Sequence, residues 1–291
     1  GAGAATQLRA LLLVGLGRRR PLAGPEQHPA TIREGRLTSQ PEIATTAALA
    51  ASRYWQRAVR TVAVVQSNYI PWKGYFDLIR MADELILYDD VQYTRRDWRN
   101  RNLIKTPRGA EWLTIPVNSK GNYLASIKDI TVSDEGWARR HWNALLVNYG
   151  RAPYFRAYRD RLEETYLGMR ERRLSAINRR FLQVVCDALG IRTRLSWSMD
   201  YRFDRVQPDR SRRLVDLCHE AGATRYLSGP TARGYCDDAL FEREGVELVY
   251  LDYSGYPEYP QAHPPFDHHV SVLDLLFNAG PDAPRYMLGG R

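Results

Sequence analysis

Two segments of the 291-residue chain hold more ligand-binding side chains than a connector needs. The first reads Gln66-Ser67-Asn68-Tyr69-Ile70-Pro71-Trp72-Lys73-Gly74-Tyr75. Pro71 keeps Ile70 out of ordinary helical torsions. Gly74 permits close backbone approach at the start of the helix that follows. The free N–H groups of that first turn, with the positive end of the helix dipole, favour an anion. Lys73 adds a full positive charge. The chemistry on offer is a seat for a phosphate or carboxylate, with Gln66, Asn68, Trp72 and Tyr75 as further contacts. The plainer alternative is a strand-to-helix turn with a packing tryptophan.

The second segment, residues 89–102, reads Asp-Asp-Val-Gln-Tyr-Thr-Arg-Arg-Asp-Trp-Arg-Asn-Arg-Asn. Asp89 and Asp90 suit a Mg²⁺ ion, or a general base whose pKa is raised by its neighbour. Adjacent residues of a strand face opposite ways, so a turn is needed for both to reach one ligand. Arg96, Arg99 and Arg101 offer planar forks for phosphate or carboxylate. Tyr93 and Trp98 offer stacking surfaces, and Gln92 and Asn100 offer amides. A solvated charged loop has no use for two large aromatics. A third group is weaker. Ser228-Gly229-Pro230 presents a hydroxyl in a turn but lacks the G-x-S-x-G of a nucleophile elbow. The tract 252–261, from Asp252 to Gln261, is dense in Tyr and Pro; Tyr253, Tyr256 and Tyr259 suit stacking on a sugar or base, or equally packing of the loop against the core, and Gln261 is a further contact.

These segments need elements to hold them. Val62–Val65 is an apolar run fit for a buried strand, and Tyr75, Leu78, Ile79 and Ala82 recur at helical spacing. Leu85–Tyr88 reads as a second strand and 112–117 as a third. Trp142, Leu145, Leu146 and Tyr149 mark a helix stopped by Gly150. A long helical region follows over 158–189 and ends at Gly190. Strands are expected at 193–197, 225–227 and 247–251, and helices at 211–221, 236–242 and 271–278. Apolar strands alternating with amphipathic helices predict an α/β fold, a mainly parallel sheet flanked by helices. In such sheets ligands bind beyond the carboxyl ends of the strands, where the segments above fall.

Composition narrows the classes. The chain is 44% hydrophobic and 26% charged, as in globular proteins. No run approaches the roughly 18 apolar residues of a membrane span. Cys186, Cys218 and Cys236 form no metal or disulfide pattern, so a reducing, cytoplasmic setting is expected. His219 beside Cys218 reads as structural, and His141, on a helix, is a minor general-base candidate. His268 and His269 lack zinc-site spacing. Ser271-x-x-Asp274 reads as a helix cap. The net charge is +9, but residues 1–60 hold nine Arg against three Glu. They read as a poorly ordered Arg- and Ala-rich extension, and 61–291 as the α/β domain. The remainder is only mildly basic, so a nucleic-acid coat is not required, though tRNA stays open as a partner.

Asn68–Asp77, Tyr88–Tyr93 with Asp97–Arg101, Leu227–Pro230 and Ser271–Asn278 together resemble the WbqC-like family, in the right order and over about Val62 to Gly280. Ser67 stands where many members carry Pro. The resemblance implies work in bacterial surface-polysaccharide (O-antigen) or natural-product biosynthesis. It suggests a transferase modifying an activated, nucleotide-linked sugar or amino sugar, with an acyl or aminoacyl group as the candidate moiety. A looser likeness in fold alone is to nucleotidylyltransferases and class I synthetases (the HUP-like group). There the loop carries H-x-G-H; here the positions read Trp72-Lys73-Gly74-Tyr75, without either imidazole. The expectation is a transferase for a phosphate-bearing small molecule, with no certain cofactor and Mg²⁺ as the candidate ion. The rivals are a nucleotidylyltransferase or adenylate-forming enzyme, and a non-catalytic sugar- or partner-binding module.

Overall fold

The computed structural model describes residues 59–289; the expected extension lies, apart from its last two residues, outside them. Five parallel strands form the central sheet: β1 Thr61–Val65, β2 Glu84–Leu87, β5 Arg194–Trp197, β6 Arg225–Ser228 and β7 Glu247–Tyr250. Their order across the sheet is β5-β2-β1-β6-β7, with every neighbouring pair parallel. The chain steps outward from β1 in one direction, then returns and steps outward in the other. The switch point is therefore the crevice between the carboxyl ends of β1 and β6, where open α/β sheets place ligands.

All five residues of β1 are buried. Ala63 and Val65 face one hydrophobic layer, Val62 and Val64 the other, so the strand needs apolar residues at every position rather than alternate ones. The first layer is closed by α1 (Lys73–Arg80), α4 (Leu174–Ala188) and α7 (Val272–Ala279). The second is closed by α5 (Arg210–Glu220) and α6 (Asp238–Arg243). In α4, Ile177, Phe181 and Val185 recur every four residues and are fully buried, each contributing about 1.5–3 kcal/mol by burial. Gly190, at φ 69°, ends it: Ile191 N–H reaches back to Cys186 O at 2.8 Å, the left-handed stop that glycine allows without a Cβ clash.

Between β2 and β5 lies an insertion. It holds an antiparallel hairpin, β3 (Arg101–Thr106) with β4 (Gly109–Thr114), and helices α2 (Trp137–Tyr149) and α3 (Phe155–Leu167) before α4. Two expectations are corrected here. The strand near 112–117 ends at Thr114 and pairs in this hairpin, outside the main sheet. The helical region 158–189 is two helices, broken at 168–173. Ser271 caps α7 by accepting from Leu273 N–H at 3.3 Å, but Asp274 does not complete that cap. It is buried and accepts from the hydroxyls of Tyr149 at 2.9 Å and Tyr259 at 2.8 Å. Among the described residues no helix is long and apolar enough to cross a membrane.

Candidate functional site at the carboxyl rim of the sheet

The turn leaving β1 and the arginine tract leaving β2 meet. Tyr69 N–H donates to Trp98 O at 3.1 Å. Asn102 Nδ2 donates to Tyr69 O at 3.1 Å and Ile70 O at 2.9 Å. The Arg99 guanidinium, fully buried, donates to Asn68 Oδ1 and pairs with Asp97 at 3.6 Å. Asn178, from α4, ties both tracts by donating to Ser67 Oγ at 3.0 Å and Arg99 O at 2.9 Å. The lacing holds Ile70 at φ 35°, a left-handed conformation that a β-branched residue avoids. Strain of this kind costs about 1–3 kcal/mol and persists only where surrounding contacts over-determine it, as at ligand-binding turns.

The candidate residues divide by what they touch. Asn68, Trp72, Tyr75, Trp98 and Tyr253 come together around a void of about 10 Å³, room for one water. Tyr75 OH donates to Gln66 O at 3.1 Å, and the Gln66 residue is itself buried. The indole of Trp72 lies over Gly74: a Cβ added there would stand 2.4 Å from the ring. Tyr253 and Tyr256 meet the other side of that indole edge-on, at 5.3 and 5.7 Å between ring centres. The start of α1 is thus roofed by aromatics. The Lys73 ammonium is buried too, bonded to Tyr286 O at 2.8 Å and Pro257 O at 3.3 Å. Burial pulls its pKa down to about 8, against the opposing pull of Asp77.

The two carboxylates lie in the turn after β2 and still point to different partners. Asp89 is fully buried, accepting from Ser67 N–H at 2.8 Å and from the Ser175 hydroxyl. Burial raises its pKa, and these donors oppose the rise. Asp90 turns the other way, toward the Ser198 hydroxyl at 2.6 Å and Arg205 at 2.8 Å. Among the described residues no group of three His, Cys, Asp or Glu could hold a metal ion. In the amide–aromatic pair, Tyr93 OH donates to Asn100 Oδ1 at 3.0 Å and Asn100 Nδ2 to Ile115 O at 2.8 Å. Gln92 donates to Tyr123 O at 2.8 Å. Gln261 bridges Asp267 O and Asp274 Oδ1, both at 2.9 Å. Ser228 is buried at the end of β6, its hydroxyl 3.5 Å from that of Tyr226.

The accessible part of the rim is carried by Arg96, Arg101 and a residue that sequence reasoning missed, Trp112. Trp112 is 44% exposed. Arg101 lies 4.0 Å above its ring and Trp98 5.0 Å from it. The register pairs Leu103 with Trp112 and Arg101 with Thr114, which makes Arg101 and Trp112 diagonal neighbours on one face. Only recognition of β3 as a strand exposes that relation. The remaining candidates are engaged within the fold. His141 is buried, its Nε2 donating to Thr114 O at 3.1 Å and its Nδ1 accepting from Tyr69 OH at 2.9 Å. His219 Nε2 donates to Glu244 O at 3.0 Å. Burial pushes the Cys218 thiol up to about 12, far from a thiolate nucleophile.

Comparison with known proteins places this geometry in a family. The sequence pattern of the WbqC-like protein family matches residues 66–286. The uncharacterized protein Rv1507c of Mycobacterium tuberculosis (strain ATCC 25618 / H37Rv) is 47% identical over 229 residues, covering 79% of this chain and 98% of that relative. No solved structure matches.

Proposed function

The chain belongs to the WbqC-like family, and on that premise we propose that it is a transferase acting on a nucleotide-linked sugar or amino sugar. The observation that carries the proposal is the meeting of the β1 turn with the arginine tract beside the switch point of the sheet, with Ile70 held under strain between them. A rim with exposed guanidinium groups next to a partly exposed indole suits a ligand that is anionic at one end and flat at the other. In this reading Arg96 and Arg101 hold the phosphates and Trp112 stacks on the base or sugar ring. The Asp90 side chain is 5% exposed and held by Arg205 and Ser198, so neither carboxylate of the pair fronts the rim. Arg99 and Asp89 set the shape of the rim from below.

Calorimetry of the full chain against a panel of nucleotide sugars tests this. At least one should bind, and Trp112→Ala should weaken it by about tenfold, the scale of one stacked ring. Failure of the whole panel to bind would overturn the reading. Pyrophosphate release from ATP or CTP would favour the nucleotidylyltransferase alternative instead.

A further inference from the structure

Lys73 and Lys105 are each 2% exposed, yet among the described residues neither ammonium has a carboxylate in ion-pair contact; Asp77 acts on Lys73, and Asp267 and Asp274 on Lys105, only from a longer range. Their polar partners are main-chain carbonyls alone: Pro257 and Tyr286 for Lys73, and Pro265 at 2.5 Å for Lys105. Each ammonium has three N–H donors, so three of the six have no acceptor among the described residues. Carbonyls satisfy geometry but do not neutralise charge, and a buried cation without a carboxylate in contact is costly. The lysines come from different elements, α1 and β3, and flank one stretch of chain: His268 feels the charge of Lys73, and Asp267 that of Lys105. Between them the half-buried His268 leaves its Nδ1 without a partner.

What covers this cluster is residues 252–269, an eighteen-residue stretch with neither helix nor strand. Structureless loops of that length within a compact fold are uncommon and tend to be lids or binding loops. The cover is one layer thick. Pro257, Glu258, Pro260, Ala262, Pro264 and Pro265 are exposed on its outside, while the carbonyls of Pro257 and Pro265 meet the lysines on its inside. It is pinned by Tyr256 OH to Asp77 at 2.6 Å and by Tyr259 OH to Asp274 at 2.8 Å.

We infer that segment 252–269 is a removable cover over a two-lysine anion site, in which Lys73 and Lys105 exchange loop carbonyls for the oxygens of a phosphate or pyrophosphate group. The inference rests on the phosphate-bearing substrate proposed above and adds the place where its phosphates go once the cover lifts. Lysine suits the role as a compact point charge on a flexible stem.

The test uses the full chain and inorganic pyrophosphate without added metal. Calorimetry should show binding to the wild type, weakened at least tenfold in Lys105→Met and in Lys73→Met. Hydrogen exchange in 252–269 should change when pyrophosphate is added to the wild type. Both variants should melt at or above the wild-type temperature, because each removes a buried charge with no carboxylate in contact. Lysines that merely hold the loop predict the opposite: lower melting temperatures and unaltered pyrophosphate binding. Absence of wild-type binding, unchanged loop exchange, or equal affinity in the variants overturns the inference. The two proposals fail separately. Nucleotide sugars that bind without needing either lysine sink this site alone; lysine-dependent pyrophosphate binding with no nucleotide sugar bound sinks the transferase reading alone.

Discussion

Arg99→Ala should cost about 3–5 kcal/mol of stability, the range for removing one member of a buried charged network. Arg99 is fully buried, and its guanidinium ties Asn68 to Asp97 across the two tracts that form the rim. Without it, the buried Asn68 Oδ1 loses a charged donor, and the restraint on Ile70 slackens. Arg99→Lys should recover only part of the loss, since one ammonium cannot span a fork's partners. Arg101→Ala is the control: its side chain lies on the partly exposed face of the hairpin, and its removal should cost less than about 1 kcal/mol. Urea midpoints at pH 7 measure all three. A value for Arg99→Ala within about 1 kcal/mol of wild type would mean that the two tracts stay together without it.

Acid should destabilise the protein through His141. Burial lowers its pKa from 6.5 to about 4, the nearby Arg140 lowers it further, and the Thr114 carbonyl opposes both. Between pH 6.5 and pH 4 the unfolded chain holds a proton on this imidazole that the folded chain does not. Stability is therefore full above about pH 6.5 and falls as pH drops through that window, by up to about 3 kcal/mol at 1.36 kcal/mol per unit. His268, lowered to about 4 by burial and by Lys73, acts in the same direction. Asp89 and Asp274, raised by burial, act oppositely, because their folded forms retain protons that the unfolded chain releases as pH rises. His141→Gln can keep the bonds to Tyr69 and Thr114 without titrating. Comparing denaturation of wild type and variant at pH 7 and pH 5 isolates the imidazole: the wild type should lose more stability than the variant. Equal losses would show that His141 titrates normally.

Much of the architecture is legible in the sequence because it is local. The apolar run of β1, the four-residue spacing along α4 and the stop at Gly190 each follow from side-chain type and period. The two polar segments also fall where a parallel sheet must put them. The insertion is less legible. Arg101-Asn-Leu-Ile-Lys-Thr106 carries two charges and an amide, and reads as loop until β4 pairs with it. Trp112 then looks like a core strand residue, although the register leaves it half-exposed. Burial misleads in the other direction for Arg99, Lys73 and Lys105. Arginine and lysine are rarely fully buried, and partners distant in sequence, among them the Asn68 amide and the carbonyls of Pro257, Pro265 and Tyr286, help keep these three inside. Asp89 and Asp90 are adjacent in sequence but, from the turn after β2, reach different partners, Ser67 and Ser175 for one and Ser198 and Arg205 for the other, which no local pattern announces.

The claim on which the rest depends is that the β1 turn and the arginine tract form a single ligand-binding rim. Hydrogen–deuterium exchange on the full chain, with and without a nucleotide sugar that binds by calorimetry, measures it directly. The account predicts slower exchange in both 66–75 and 92–101, together and at the same ligand concentration. Protection confined to one of these tracts, or appearing only on α2 and α3, would contradict it.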